Sequence, residues 1–221
     1  MVDILGTLDE KIEDNQKRCV LNEQLIDLYF RRLLNQRDET WEETNLTHIA
    51  DYINGLAMQK YRPTGEEYLP VIKIKELSQG KSDDNSEQAD PFIDSKYIID
   101  DGDIIFSWSG TLIVKVWCGG KGGLNQHLFK VVPKNYYSWF VYLWTNYHLE
   151  KFQNIAKGKA VTMGHIKRED LEKSTVYLPN DDTLIYYNNL IEPFYKRIIE
   201  LQIENRKLAK LKDKYLQKFF G

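Results

Sequence analysis

Hydroxyl side chains gather where an apolar run stops: Ile104-Ile105-Phe106 is followed at once by Ser107-Trp108-Ser109-Gly110-Thr111. Three chemistries are open to such a stretch: a nucleophilic serine, a phosphate cradle, or a plain turn. A nucleophile elbow needs Gly-x-Ser-x-Gly, and here Ser107 and Thr111 stand at the glycine positions around Ser109. Gly80-Lys81-Ser82 has the end of a nucleotide-binding P-loop, but Lys75 occupies the position of its first glycine. The "GGKGG" stretch at 119–123 reads as a hairpin loop with no helix N-terminus after it to receive a phosphate. His48, His127, His148 and His165 show no ligand spacing with cysteines or acids, so hydrogen-bonding or surface roles are expected and no metal. "ADPF" at 89–92 faintly resembles the Asp-Pro-Pro-aromatic element of amino-methyltransferases, but it lacks the second proline and no glycine-rich cofactor strand precedes it. The balance favours a binding module without catalytic residues.

Three polar clusters suit such a module. The first is Ser107, Ser109, Gly110 and Thr111. The second is Lys121, Gly122 and Gly123, followed by Asn125, Gln126 and His127. The third is Lys157, Gly158, Lys159, Thr162, Met163, Gly164 and His165. Glycine lets a backbone approach a ligand closely. Hydroxyls, backbone N–H groups and lysines meet phosphates, whereas Asn, Gln and His present paired donors and acceptors to base edges. Each cluster alone reads equally well as a turn between strands.

Charge points the same way. The chain of 221 residues has a net charge of only −3, which does not announce a polyanion partner. Yet residues 76–103 hold nine acids and two lysines, a net of −7, and residues 104–168 hold nine bases and one acid, a net of +8. Three of the four histidines also lie in the basic window, which includes Lys115. A basic face under a near-neutral total is the footprint of nucleic-acid binding. The bland alternative is solvated surface.

These clusters need a scaffold. Residues 4–36 and 185–220 read as long helices with apolar residues at helical spacing, Leu8, Ile12, Cys19, Ile26 and Leu33 in one, Phe194, Ile198, Leu201, Leu208, Leu211, Tyr215 and Phe219 in the other. Both look like coiled-coil partners. Asn22, Leu25, Leu28 and Leu33 match Asn205, Leu208, Leu211 and Leu216 at a constant offset of 183 residues, a weak repeat. Between the helices, "TNLTHIADYINGLA" reads as a short helix or strand, and "LPVIKIKEL" as one alternating strand. Two strands flank a turn at Asp101-Gly102, and "TLIVKVWC", "HLFKVVP" and "LEKSTVYLP" add more. "YYSWFVYLWTNYHLEKFQNIA" reads as one helix. The sum is an α+β domain with a curved, partly barrel-like sheet. Two cysteines, Cys19 and Cys118, in no metal-like spacing fit a reduced, cytoplasmic protein, and neither a leader nor a membrane span is expected.

"YLPVIKIKELSQG", "DGDIIFSWSGT", "GLNQHLFKVVP" and "GKAVTMGHIKREDLEKSTVYLP" together resemble the target-recognition domain of type I restriction–modification specificity subunits, in order and spacing over about 140 residues. The flanking helices are similar to that family's spacer regions. The resemblance implies a domain order of spacer helix 1–39, recognition domain 40–184 and spacer helix 185–221, with the helices paired antiparallel as a coiled-coil-like hairpin. It implies a non-catalytic subunit that reads half of a bipartite double-stranded DNA target. That subunit recruits modification (methyltransferase) subunits, which carry S-adenosylmethionine, and restriction (motor-nuclease) subunits. The family has two recognition domains and this chain has one, so a half-subunit or a fragment is implied, completed as a homodimer or by a second half-subunit.

The expected DNA contacts are Lys115, Lys121, Lys157, Lys159, Ser107, Ser109, Gly110, Thr111, Gln126, His127, Thr162 and His165. The expected helix-pairing residues are Leu8, Ile12, Ile26, Leu33, Phe194, Leu201, Leu208 and Tyr215. Asp100, Asp101 and Asp103 are expected behind the strand, away from DNA. The competing reading is a coiled-coil protein-interaction module without DNA specificity.

Overall fold

The computed structural model describes residues 2–158 and 164–220. The chain forms two compact units: the two chain ends, up to Arg37 and from Asp181, make one, and Asp38–Asn180 make the other.

The first unit is a pair of helices, α1 (Val2–Asn35) and α7 (Asp181–Phe220). α7 starts four residues earlier than the expected 185. Asp181 and Asp182 fill its first turn, where carboxylates complement the positive end of the helix dipole. Pro193 lies inside the helix. The helices run antiparallel: Asp9 accepts from Lys212, Asn15 meets Asn205, and Tyr29 stacks on Phe194.

Residues at alternating spacings of three and four fill the seam, among them Asn15, Cys19, Ile26 and Leu33 of α1 and Ile191, Ile198 and Leu201 of α7. Of the expected pairing residues, Ile26, Leu33 and Leu201 are buried. Leu8, Ile12, Phe194, Leu208 and Tyr215 are half-buried. The repeat built on Leu28 and Leu211 does not describe the seam, because these side chains are 60% and 41% exposed. The polar partner of Asn205 is Asn15 and not Asn22. Asn15 is fully buried, and its Nδ2 donates to Asn205 Oδ1 at 2.9 Å and to Glu204 Oε2 at 3.0 Å. Asn205 Nδ2 donates in turn to the Ile12 carbonyl at 3.4 Å.

Among its described residues the second unit holds ten short strands in three sheets. β1 (Glu42–Asn45) pairs antiparallel with β10 (Thr175–Leu178). β2 (Ala50–Asn54), β9 (Leu128–Pro133), β6 (Ile104–Ser107) and β7 (Val114–Val116) form an antiparallel sheet in that order. β4 (Gln88–Ala89), β3 (Leu69–Ile72), β8 (Gly122–Leu124) and β5 (Ile98–Ile99) form the third, with β3 and β8 parallel. They are separate and none closes on itself, which corrects the expected single, partly barrel-like sheet.

The "GGKGG" stretch is correspondingly not all loop. Gly122 is a buried strand residue, and a side chain there would come within 2.5 Å of Ile72 Cγ1. Its glycine is required by the close approach of β3. The "LPVIKIKEL" strand stops at Ile72 and α3 (Ile74–Gln79) follows, because Glu76 reaches back to accept from the Lys73 N–H at 3.1 Å and caps the first turn.

The helices are short: α2 (Leu46–Ile49), α4 (Ser138–Tyr147), α5 (Leu149–Gly158) and α6 (Arg168–Glu172). The single helix expected over residues 136–156 is α4 and α5, broken at His148. That ring is buried, its Nε2 donates to the Thr175 carbonyl at 2.7 Å, and burial holds its pKa below the usual histidine value. Apolar and aromatic side chains of α4 fill the core, and Phe152 of α5 stacks on Phe106 of β6. Cys19 and Cys118 are buried free thiols. No helix among the described residues is long and apolar enough to cross a membrane.

The asparagine pair generates a prediction for the helical unit. Asn205→Leu alone removes a partner of the buried Asn15 amide, and Asn15→Leu alone removes the partner of the half-buried Asn205 amide, each at a cost of about 1–3 kcal/mol. The double variant replaces both partners and recovers that loss, with a non-additive cycle. Urea unfolding of the four proteins checks this, and additive losses would contradict it.

Candidate nucleic-acid interface

β6 ends at Ser107, and the chain turns back to enter β7. Ser107 is fully buried, and its Oγ donates towards the Thr111 carbonyl at 2.8 Å and the Ser109 carbonyl at 3.2 Å. Gly110 sits in the left-handed region at φ 65°, where glycine carries no steric penalty. Ser107 thus shapes the turn from inside rather than facing a ligand. This corrects the expectation of a contact residue, and the reason is the depth of the strand end.

Two further segments meet this turn. Between β8 and β9, Asn125 Oδ1 accepts from the His127 N–H at 3.2 Å, and the Leu128 N–H donates to the Asn125 carbonyl at 3.0 Å. The Trp108 N–H then donates to the His127 carbonyl at 3.3 Å. From the third segment, the Ile166 N–H donates to the Trp108 carbonyl at 3.1 Å, and the Gly110 N–H donates to the Gly164 carbonyl at 3.0 Å. Ser109 and His165 form an isolated antiparallel bridge. Gly164 lies so close to α5 that a side chain there would meet the Ala156 carbonyl at 2.5 Å.

Trp108 is the centre of the arrangement. Its ring lies 5.7 Å from that of Phe129, 6.1 Å from His127 and 6.3 Å, edge to face, from His165. Its Nε1 donates to Asn54 Oδ1 at 2.9 Å. Ser109 Oγ is 2.9 Å from His127 Nδ1, and Gln126 Nε2 is 3.3 Å from His127 Nε2. Three polar segments distant in sequence therefore share one edge.

The fold gathers Ser109, Gly110, Thr111, Gln126, His127 and His165 here. Lys157 is exposed at the end of α5, on the turn that Gly164 packs against. Lys159 and Thr162 lie outside the described residues. Lys115 and Lys121 are not brought to this edge. Lys115 pairs in mid-strand with Ile105, and its Nζ donates to the Ser78 carbonyl at 2.7 Å. Lys121 follows Gly120, whose N–H donates to Asp101 Oδ1 at 2.8 Å, so it belongs to the opposite end of β6.

Charges along the basic window are divided. Lys130 pairs with Asp103 at 2.8 Å, Lys134 with Asp51 at 3.3 Å, and Lys151 donates to the Lys173 carbonyl at 3.0 Å. Among the described residues Lys157, Lys167 and Arg168 form no ion pair, and the last two directly follow Ile166. Sequence reasoning counted Lys167 and Arg168 as charge but did not single them out. It also missed Trp108 and Asn54, though Trp108 stands inside the hydroxyl cluster and Asn54 precedes a glycine.

The Ser109–His127 contact restores a nucleophile question that motif spacing had closed. Ser109 is only 3% exposed, and the second nitrogen of His127 meets an amide instead of the orienting carboxylate of a catalytic triad. The contact holds a ring in place and presents no nucleophile. Among the described residues no group of three or more His, Cys, Asp or Glu side chains is arranged to hold a metal ion.

Comparison with known proteins defines the class. Residues 38–213 match the model of the type I restriction modification DNA specificity domain. The chain belongs to that family. It is similar in fold to the type I restriction–modification S subunit from M. genitalium, with a TM-score of 0.64 at 14% identity over 99% of this chain and 59% of that one. It also aligns with the HsdS subunit from Thermoanaerobacter tengcongensis, at 16% identity and a TM-score of 0.47 over 98% of this chain and 56% of that one. The chain thus spans less than two thirds of either protein. A search of curated proteins finds no match.

The turn geometry predicts the effect of losing its buried hydroxyl. Ser107→Ala removes the donor that ties Thr111 and Ser109, and costs about 1–3 kcal/mol. Thermal unfolding followed by circular dichroism should show a melting temperature lower by several degrees. An unchanged melting temperature would contradict the assigned role.

Proposed function

We propose that this chain is the non-catalytic DNA-specificity component of a type I restriction–modification complex, and that its second unit reads half of a bipartite double-stranded target. The observation that carries this reading is the meeting of the 108–111, 125–127 and 164–166 segments at one edge, with Lys157, Lys167 and Arg168, which form no ion pair among the described residues, beside it. The acids Asp100, Asp101 and Asp103 lie at the opposite end of β6, around the turn where Gly102 donates to the Trp117 carbonyl. Bound DNA is accordingly expected at the hydroxyl end, with Thr111, Gln126 and His165 near bases or backbone and Lys157, Lys167 and Arg168 on phosphates.

The helix pair serves assembly in this reading. Val20, Leu21 and Leu28 of α1 and Ile185 and Tyr186 of α7 are exposed apolar side chains that a partner would cover. The partners are modification subunits, which bring S-adenosylmethionine, and restriction subunits, in the cytoplasm. A second copy of the chain or another half-subunit supplies the other half of the target. Two-fold symmetry in such a dimer would be mirrored in the site.

Salt dependence tests the DNA reading. Changing Lys157 and Lys159 to Ala should weaken binding to any duplex, and lower the slope of log affinity against log salt by about one for each lost phosphate contact. An unchanged slope removes these lysines from the interface. Wild-type protein with no salt-sensitive duplex affinity at all would favour the protein-interaction module.

A further inference from the structure

His127 is held from every side. Its N–H donates to Asn125 Oδ1, its carbonyl accepts from Trp108, and its ring lies beside the Trp108 indole. Ring nitrogen Nδ1 meets the buried Ser109 hydroxyl at 2.9 Å, and Nε2 meets the Gln126 amide nitrogen at 3.3 Å. The two contacts agree on one arrangement. An amide nitrogen can only donate, so Nε2 accepts, the ring proton resides on Nδ1, and Nδ1 donates to Ser109 Oγ. The restraint on His127 bears on the orientation of Gln126.

One N–H of the Gln126 amide faces His127. The other N–H and Oε1 have no protein partner among the described residues. They are a donor and an acceptor in the amide plane of a partly exposed side chain. Adenine offers the complementary pair in the major groove, an N6 donor and an N7 acceptor. Guanine offers two acceptors there, which would oppose Oε1, and cytosine and thymine each satisfy one half of the pair. We propose that Gln126 reads an adenine, and that Ser109 and His127 are positioning residues that hold its amide in the reading orientation. This rests on the DNA-recognition reading above and assigns Ser109 and His127 a different part from that of contact residues.

Selection from a randomised duplex library, followed by sequencing, tests this with the full chain. The wild type should enrich a motif containing at least one adenine whose preference depends on Gln126. Gln126→Ala should lower that preference by about tenfold while the other positions persist. Gln126→Glu should move the same position towards cytosine, because a carboxylate accepts from cytosine N4 and cannot donate to N7. Ser109→Ala should flatten that position while the other positions of the motif persist, which a merely structural role would not do.

Motifs identical to wild type in both Gln126 variants would overturn the assignment while leaving DNA recognition intact. Retention of the adenine preference in Ser109→Ala would overturn the positioning role. A wild-type chain that enriches no motif would remove the underlying reading, and this proposal with it. The Gln126 variants keep the question answerable if Ser109→Ala fails to fold, since Gln126 is half-exposed and outside the core.

Discussion

Three main-chain hydrogen bonds hold the edge on which the functional reading depends. Trp108 donates to His127 and accepts from Ile166, and Gly110 donates to Gly164. Backbone groups so placed must be paired once they leave water, and here they are paired with one another across segments that start 17 and 56 residues downstream of Trp108. The side chains follow from that choice. Once the three backbones are joined, Ser109 lies beside His127, His127 beside Gln126, and the Trp108 ring closes over them. The core beneath, with Phe106, Phe129 and Phe152 in ring contact, keeps the strand end from shifting.

Much of this was legible in the residues, and the failures have physical causes. The polar clusters were found because hydroxyls, glycines and amides interrupt apolar runs, and strand ends carry that signature whatever the fold. Ser107 was misread because one residue decides whether a strand end is inside or outside, and only tertiary packing sets that. Lys115 and Lys121 were placed with the others because charge was counted along the chain, whereas β6 separates its two ends in space. β8 was hidden because Gly122 and Gly123 have no strand propensity and owe their place to the parallel β3. α3 was hidden because the alternation in "LPVIKIKEL" continues by chance past Ile72, where the Glu76 cap takes over.

The helix pair shows the same division. Apolar periodicity located both helices, but the match of Leu28 with Leu211 counted leucines instead of seam positions. The seam follows alternating three and four spacing, which places Asn15 opposite Asn205. A polar pair in the seam stabilises less than an apolar one, but its hydrogen bonds form in only one register, so it specifies alignment of the two helices.

The central claim is that this chain chooses the DNA sequence its complex acts on. Mapping methylated adenines in DNA from cells that express the chain together with its modification subunit tests it most directly. The account predicts methylation confined to a bipartite motif, two short specific halves at fixed spacing, that disappears when the chain is omitted and changes when Gln126 is replaced. Methylation with the same pattern in the presence and absence of the chain would contradict it.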